Sequence, residues 1–256
     1  MPIAKVDFIE GLAKGLSVLE AFDTERQRIN ATLAASRTGI TRASARRHLL
    51  TLAELGYLET DGSYYWLSHR VLRLAGSYMA SSRLPRTLQP TINRLANQTH
   101  ASFSAVVLDG DQGVIIARCG GLEEPVRHFA YGLHLGARLP AHATSTGRVL
   151  LANLPIKSFN TWIKEQKLTK VTQFTEINQR DFKDIINKVR TDDYCIARDT
   201  HEVGIHAIAV PLRNMQGQTL AALNVVGTSE QFSDLTIERK WLPMLRDAAR
   251  ELRGLL

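Results

Sequence analysis

The sequence lacks the features that mark membrane, secreted and disulfide-stabilised proteins. Its 256 residues include no apolar run near the roughly 20 residues that a membrane span requires, and its start lacks the apolar core of a secretory signal. It has only two cysteines, Cys119 and Cys195, and neither belongs to a CxxC motif or a disulfide framework. We therefore expect a cytoplasmic protein without membrane contact, in which both thiols are reduced and packed.

The sequence also lacks the common motifs of catalysis and metal binding. No GxSxG, HExxH, Walker or dinucleotide-binding motif is present, so we expect no enzyme activity and no cofactor. Four potential metal ligands do cluster along the chain, namely Cys195, Asp199, His201 and His206. Their spacing fits no strong zinc pattern, and a strand would turn several of them apart. We expect no metal site; metal sensing through these residues and redox catalysis through the two cysteines remain as alternatives.

Positive charge is abundant and unevenly distributed. The chain has 32 Lys and Arg against 25 Asp and Glu, a formal net charge of +7, which favours an anionic partner. Residues 26–53 contain no Asp or Glu. The same segment contains Arg26, Arg28, Arg37, Arg42, Arg46 and Arg47. A nucleic-acid contact is therefore expected in this part of the chain.

Apolar spacing near the N-terminus predicts three short helices. Residues 11–22 carry apolar side chains at helical spacing, and residues 29–36 fit a second helix. The turn at 37–39 contains a glycine, as expected between two helices. Thr41 is a good N-cap for a third helix over residues 42–55. The predicted buried positions are Leu12, Leu16, Leu19 and Phe22 in the first helix, Leu33 in the second, and Ala45, Leu49, Leu52 and Leu55 in the third.

The polar face of the third helix predicts a DNA-reading surface. Four side chains of its first two turns point away from the buried stripe, namely Arg42, Ser44, Arg46 and Arg47. These turns of a recognition helix meet base edges and phosphates, and arginine either grips guanine bidentately or holds a phosphate. A run of arginines can instead be an ordinary solvated helix face. The ordered series of three helices with a glycine turn favours DNA binding.

A short hairpin is predicted directly behind the third helix. The pattern alternates in residues 57–60 and 63–67, and Asp61-Gly62 between them is a strong hairpin signal. A two-stranded wing completes a winged helix-turn-helix. Ser63 begins the second strand and, with Thr41, joins the candidate DNA contacts. We assign residues 1–68 to this domain.

The remaining residues predict a linker helix and a second domain of the α+β class. Residues 69–81 fit a helix, and the Ser-Ser-Arg-Leu-Pro stretch at 81–85 marks a boundary. We assign residues 69–84 to the linker and 85–256 to the second domain. Strands are predicted at 102–108, 113–119, 126–131, 194–198, 206–212 and 219–226, and helices at 88–99, 145–152, 156–166, 179–192 and 235–255. Because this order lacks a regular βαβ rhythm, we expect an antiparallel sheet flanked by helices.

The loop at residues 136–147 is the first candidate for a small-molecule site. It ends in Thr144-Ser145-Thr146-Gly147, where a helix is predicted to begin. Exposed amides at a helix start, together with three hydroxyls, can hold a carboxylate. Thr144 can equally serve as a simple helix cap. The residues alone leave both interpretations open.

Three further polar residues fall on predicted strands. Arg118 is expected to share a strand face with Val114 and Ile116, where a buried guanidinium needs a bound carboxylate or a local acid. Asn224 interrupts an apolar run and needs a partner inside the domain, either a ligand hydroxyl or a loop. His206 is either a phenol partner or a structural histidine. A sheet of this kind can cup a small ligand under its loops.

Several separate stretches make the chain resemble the IclR family of bacterial transcriptional regulators. The first two are GLAKGLSVL at residues 11–19 and LLTLAELGYL at residues 49–58. The opening GLAKGL resembles most the branch that senses aromatic acids such as p-hydroxybenzoate and protocatechuate. The second half adds LPAHATSTGRVLLA at 139–152, Gly204 with IAVPL at 208–212, and AALNVVG at 221–227.

The resemblance implies a ligand-responsive, sequence-specific regulator of an aromatic-acid catabolic operon. It further implies a homodimer or tetramer on a palindromic double-stranded promoter site, contact with RNA polymerase, and a GAF-like C-terminal domain that binds a small aromatic carboxylate. In the family, the loop matched by residues 136–147 lies over the ligand, which favours a ligand role here. The candidate effector-binding residues are therefore Arg118, Thr144, Ser145, Thr146, His206 and Asn224.

One segment departs from the family pattern. Many relatives have a run of acidic residues before the glycine matched by Gly204, and a Cys or Ser three positions after it. Here the preceding residues 199–203 read DTHEV, and the later position is Ala207. Loss of a polar group argues against a very small ligand such as glyoxylate and leaves room for an aromatic one. A small aliphatic acid remains the alternative effector. A nonspecific architectural DNA-binding protein is a further alternative, but it would give the second domain no function.

Overall fold

A computed structural model of the chain describes residues 3–23, 26–120 and 134–256. Backbone contacts divide the chain into two compact units, residues 1–81 and residues 82–256. None of the helices in the described ranges is both long enough and apolar enough to cross a membrane.

The first unit is a helical domain with a small hairpin. Its elements are α1 (Glu10–Leu19), α2 (Ala31–Thr38), α3 (Arg42–Glu54), the antiparallel strands β1 (Leu58–Thr60) and β2 (Tyr65–Leu67), a 3-10 turn (His69–Val71) and α4 (Leu72–Ser81). Asn30 caps α2 by accepting hydrogen bonds from the amides of Thr32 and Leu33, as expected for an N-cap asparagine. Gly39 ends α2 in the left-handed conformation, with φ of +70°, which glycine adopts without a steric penalty. The predicted winged helix-turn-helix is confirmed.

The core of this unit is small and differs from the predicted stripe. Val18 of α1 and Leu49 of α3 are fully buried, but Leu12 and Leu16 are 60% and 50% exposed and Leu55 is 51% exposed. The spacing of the leucines identifies an apolar face of α1, but α1 packs against α3 through the side that carries Gly15, which lies against His48. The predicted burial of Leu12, Leu16 and Leu55 is therefore wrong. The core consists of Val18, Ala21, Ile29, Ala34, Ala45, Leu49, Leu58 and Tyr65, with Leu19, Phe22, Leu33 and Leu52 packed against it.

The second unit is built on a six-stranded antiparallel sheet. The strands are β3 (Ser102–Asp109), β4 (Gln112–Cys119), β5 (Arg138–Pro140), β6 (Cys195–Arg198), β7 (Ile205–Arg213) and β8 (Thr219–Thr228), in the spatial order β5-β4-β3-β8-β7-β6. The helices are α5 (Arg83–Thr99), α6 (Ser145–Ala152), α7 (Ile156–Glu165), α8 (Gln179–Asp192) and α9 (Leu242–Arg253). The predicted α+β class with an antiparallel sheet is confirmed.

Helices cover both faces of this sheet. On one face α5 and α9 pack against alternate strand residues such as Phe103, Leu223 and Ile208. On the other face α6, α7 and α8 pack against the intervening residues, among them Val106 and Ala222. Alternate strand residues point to opposite faces, so the two layers of core can be assigned from the register. We refer to the second of these as the α6 face.

Most boundaries agree with the predictions, and the differences have local causes. Helix α5 begins at Arg83 rather than residue 88, because Pro85 lies in its first turn, where the missing amide hydrogen costs no helical bond. The C-terminal helix over 235–255 is interrupted by a π-helical turn at Ile237–Trp241. The wing turn spans four residues, 61–64, rather than Asp61-Gly62 alone. The predicted strand at 126–131 lies outside the described residues.

A β-bulge changes the side to which the end of β4 points. Ala105 pairs with Ala117 while Val106 pairs with Ile115, so Ile116 is an extra residue in β4. Ile116 and Ala117 both pack in the α5 and α9 layer. The next residue, Arg118, therefore lies on the opposite, α6 face. The prediction that Arg118 shares a face with Ile116 and Val114 is wrong, because strict alternation does not hold across the bulge.

Candidate functional site

Helix α3 presents a basic, exposed surface. Thr41 caps it, since its hydroxyl oxygen accepts the amide hydrogen of Ser44 at 3.2 Å. The guanidinium groups of Arg42, Arg46 and Arg47 are exposed, and Ser44 is half-buried. None of these three arginines makes an ion pair with any residue in the described part of the chain. Arginines without an acidic partner remain available for phosphates or base edges.

Other arginines of residues 26–53, the segment without Asp or Glu, have structural partners instead. Arg28 donates to the carboxylate of Asp61 at 2.6 Å, and its guanidinium lies 4.4 Å from the centre of the Trp66 ring. Arg37 forms an ion pair with Asp23. The segment therefore divides into arginines that hold the domain together and arginines that α3 exposes.

The wing turn is organised by Asp61. Its carboxylate accepts hydrogen bonds from the backbone amides of Ser63 at 2.9 Å and Tyr64 at 2.8 Å. These two bonds hold the pKa of Asp61 below its usual value. Ser63 is exposed in this turn. The prediction that it begins the second strand is wrong, because the four-residue turn delays the start of β2 to Tyr65.

In the second unit, the start of α6 is buried. The hydroxyl oxygen of Thr144 accepts the amide hydrogen of Gly147 at 3.1 Å, so Thr144 is the helix cap. Ser145 and Thr146 are 1% and 2% exposed. Gly147 packs closely on the preceding 3-10 turn, where an added Cβ would lie 2.2 Å from the carbonyl oxygen of Ala141. The amides that the sequence analysis expected to be exposed are therefore enclosed.

A small cavity of about 50 Å³ lies beside this helix start. The surface that faces the cavity is mostly apolar, although five of its eleven lining residues, Ser145 among them, have polar side chains. Ala207, the position at which many relatives carry a polar side chain, lines it. The full lining is Leu139, Ala143, Thr144, Ser145, Ala197, Thr200, His201, Glu202, Ile205, Ala207 and Val226. An apolar cavity with a few convergent polar groups is the usual form of a small-molecule site.

A row of polar side chains crosses the α6 face of the sheet. Ser104 pairs with Asn224 on one side and with Arg118 on the other, so the three side chains are neighbours on that face. Asn224 is 8% exposed, and its Oδ1 has no hydrogen-bond partner among the described residues. Arg118 is half-buried, and this burial lowers the pKa of its guanidinium. The predicted residues Arg118 and Asn224 are thus brought together on the α6 face, but neither of them lines the cavity at the start of α6.

His206 lies elsewhere. It precedes Ala207 on β7, so its side chain points to the face opposite the cavity, the face on which Ile208 packs. Its Nε2 lies 3.4 Å from Oδ2 of Asp199, and the ring is 9% exposed. The structure therefore does not bring His206 to the cavity that Ser145 lines.

Comparison with known protein families identifies the chain. The family model of the IclR helix-turn-helix domain matches residues 11–62, and that of the bacterial transcriptional regulator IclR C-terminal region matches residues 76–253. The chain belongs to the IclR family.

Similar proteins narrow the branch of the IclR family. The chain is 47% identical over 251 residues to the p-hydroxybenzoate hydroxylase transcriptional activator of Acinetobacter baylyi, which covers 98% of this chain and 93% of that protein. It is 43% identical over 250 residues to the Pca operon regulatory protein of the same organism, covering 98% of this chain and 90% of that protein. A crystal structure of a double mutant of the PobR inducer-binding domain from Acinetobacter, in complex with 3-hydroxybenzoic acid, is 40% identical, covers 67% of this chain and 98% of that one, and has a TM-score of 0.61.

These similarities confirm the predicted function in outline. The chain is an IclR-family transcriptional regulator of the aromatic-acid branch, with a DNA-binding helix-turn-helix domain and an effector-binding domain. The family and these relatives are regulators and not enzymes.

Sequence reasoning missed one wall of the cavity of this IclR-family protein. The hydroxyl of Thr200 donates to the carbonyl oxygen of Ala143 at 2.7 Å, and that of Thr175 donates to the carbonyl oxygen of Thr200 at 2.7 Å. His201 lines the same wall, and burial together with the nearby His142 lowers its pKa. The departure of residues 199–203 from the family pattern was the available signal, but it pointed to a segment and not to these side chains.

The metal-site and redox alternatives find no geometric support at Cys195. Cys195 is buried on the α6 face, and burial raises the pKa of its thiol to about 11, against a smaller opposing effect of Arg148. Within residues 3–23, 26–120 and 134–256, no three His, Cys, Asp or Glu side chains are grouped as a metal site requires. A thiol held protonated in this way is a poor nucleophile and a poor metal ligand.

Proposed function

We propose that this regulator controls a catabolic operon for hydroxybenzoate or protocatechuate and that its effector is a small aromatic carboxylate. Two similar proteins are named for p-hydroxybenzoate hydroxylase and for the Pca operon, and a similar inducer-binding domain holds 3-hydroxybenzoic acid. One of these relatives is named as a transcriptional activator, which supports activation of transcription by this protein as well.

The observation that carries the effector assignment is the hydroxyl of Ser145. It is 1% exposed in the first turn of α6, lines the cavity, and has no hydrogen-bond partner among the described residues. Backbone amides and the helix dipole favour negative charge at such a position. The carboxylate of the effector binds at this helix start, near Thr144, Ser145 and Thr146.

The rest of the cavity suits an aromatic ring. Ala197, Ala207 and Val226 offer an apolar surface of small and medium side chains. Arg118 and Asn224, on the same sheet face, complete the polar part of the site. Many relatives carry a polar side chain at the position of Ala207, where it would favour a small, polar acid. Because alanine lacks that polar group, this position favours an aromatic ligand over an aliphatic one.

DNA binding follows from the exposed face of α3. Arg42, Arg46 and Arg47 have no acidic partner in the described residues, and Ser44 lies between them. These side chains contact bases and phosphates of a palindromic operator. Thr41, at the start of α3, and Ser63, in the wing turn, add contacts to the DNA backbone. The protein therefore works in the cytoplasm, where its operator is.

Exposed apolar side chains in the first unit support a homodimer or a tetramer. A palindromic operator requires two reading helices. The exposed apolar residues of the N-terminal segment and α1 are Ile3, Val6, Phe8, Ile9, Leu12 and Leu16, and those of α4 are Leu72, Leu74 and Tyr78. Monomeric proteins seldom leave so many neighbouring large apolar residues exposed. In the assembly, residues 1–68 bind DNA, 69–84 link, and 85–256 bind the effector and signal to RNA polymerase.

A thermal-shift screen tests the effector assignment. A ligand that binds only the folded protein raises its melting temperature by mass action. We expect hydroxybenzoates and protocatechuate to raise the melting temperature, and small aliphatic keto acids to leave it unchanged. Ser145→Ala removes the unpartnered hydroxyl and reduces the shift, while Ser229→Ala, at an exposed serine that is not among the cavity-lining residues, retains it. A shift with aliphatic acids alone would contradict the proposal.

A further inference from the structure

A second buried hydroxyl near the cavity, on Ser102, has no role in the sites described so far. Ser102 is 6% exposed, and its Oγ has no hydrogen-bond partner among the residues that the structure describes. Buried hydroxyls are hydrogen-bonded in most proteins, so each exception needs an explanation. The same applies to Oδ1 of Asn224.

The strand register places Ser102 and Asn224 at one spot on the α6 face. Ser102 pairs with Val226, and Ser104 pairs with Asn224, so Ser102 and Asn224 are diagonal neighbours on adjacent strands. Diagonal neighbours in an antiparallel pair have Cα atoms roughly 7–8 Å apart, with their side chains closer. Val226, directly opposite Ser102, lines the cavity. The two unpartnered oxygens therefore lie on the same sheet face as the cavity, next to its lining residue Val226. Arg118 of β4 lies on this face as well, opposite Ser104.

We infer that Ser102, together with Asn224, recognises a ring hydroxyl of the effector; this inference rests on the function proposed above. An amide oxygen only accepts hydrogen bonds, so a carboxylate cannot satisfy Oδ1 of Asn224. A phenolic hydroxyl donates one hydrogen bond and accepts another. It can therefore donate to Oδ1 of Asn224 and accept from the hydroxyl of Ser102. The carboxylate then lies at the opposite pole, at the Ser145 end of the cavity.

This arrangement predicts that the two serines recognise different groups of the effector. The α6 start with Ser145 binds any benzoate, whereas Ser102 discriminates hydroxylated benzoates from benzoate itself. A site that hydrogen-bonds a ligand hydroxyl rejects the analogue that lacks it, because its own polar groups are then left without partners. Ser102 is thus a specificity-determining residue that the sequence pattern did not single out.

Calorimetric titration of the full-length protein tests the inference. Benzoate, 3-hydroxybenzoate, 4-hydroxybenzoate and 3,4-dihydroxybenzoate are titrated into wild type, Ser102→Ala and Ser145→Ala, and weak binders are measured by displacement. Ser102→Ala is expected to weaken the best hydroxylated acid about tenfold, as for loss of one hydrogen bond, and to change benzoate less than twofold. Ser145→Ala is expected to weaken all four acids by a similar factor.

The melting temperature of the unliganded variant separates recognition from a structural role. Since the hydroxyl of Ser102 has no partner among the described residues, its removal is expected to leave the melting temperature unchanged or raised. A lowered melting temperature, or an equal loss for benzoate and the hydroxylated acids, would overturn the inference while leaving the effector class intact. If wild type binds none of the four acids, the proposed function fails, and the inference falls with it.

Discussion

The reading helix of the first unit and the α6 face of the second unit present their polar groups in opposite ways. On α3 the groups are charged and exposed, as in Arg46 and Arg47. On the α6 face most are uncharged and buried, as in Ser102, Ser145 and Asn224. A polyanion is bound through charge at an accessible surface, whereas a small molecule is recognised by a few hydrogen bonds inside an apolar enclosure. The two units therefore respond differently to substitution and to salt.

The largest expected effect is at the reading helix. Arg46→Ala and Arg47→Ala are each predicted to weaken operator binding by about 1–3 kcal/mol, or roughly 5- to 150-fold, because an arginine contact to a base or phosphate is lost. Fluorescence anisotropy with labelled operator at fixed salt measures this. Arg94→Ala, an exposed arginine of the second unit paired with Glu251, serves as the matched control. Unchanged affinity in both α3 variants would contradict the reading face.

The next effect concerns the helix start that forms the cavity wall. Gly147→Ala places a Cβ 2.2 Å from the carbonyl oxygen of Ala141, and this backbone cannot yield as a flexible side chain can. Overpacking of this kind costs about 1–3 kcal/mol, which lowers the melting temperature by several degrees, at about 2–4 °C per kcal/mol for a protein of this size. Differential scanning calorimetry measures the shift.

Gly254→Ala is the control for that substitution. An added Cβ at Gly254 meets nothing within 4 Å, and its φ of −76° suits alanine. An equal loss of stability in both variants would show that the close approach at Gly147 is not the cause.

The smallest effect separates the two cysteines. Cys195 is fully buried with its thiol pKa raised to about 11, whereas Cys119 is half-buried. Since the thiolate is the reactive form, a thiol reagent at pH 8 is expected to label Cys119 first and Cys195 only on unfolding. Mass spectrometry of partially labelled protein assigns the sites. Early labelling of Cys195 in folded protein would contradict its placement in the α6 layer.

The two surfaces also differ in how far the sequence predicts them. Helical periodicity is local, so the exposure of Arg42, Arg46 and Arg47 follows from the spacing of Ala45 and Leu49, both buried as predicted. Even here, local spacing did not show that Leu12 and Leu16 remain exposed, because it identifies an apolar face without saying what covers it.

The effector site depends on non-local register, which the sequence alone does not provide. The bulge at Ile116 moved Arg118 to the α6 face against the expected alternation, and Ser102 became notable only through its pairing with Val226. His206 was a reasonable phenol partner by residue type, yet one position on β7 turns it to the opposite face from Ala207. The sequence thus offers candidate side chains by residue type, but it does not place them in space.

Salt dependence tests the contrast between the two units most directly. Operator affinity and effector affinity are measured on the same preparation from about 50 to 200 mM salt, a range over which phosphate contacts typically lose orders of magnitude. We predict a steep fall for the operator, reduced by about one unit of logarithmic slope when a phosphate-contacting arginine of α3 is removed, and a nearly constant effector affinity, because buried interactions are weakly screened. Equal salt dependence of the two affinities would contradict the account.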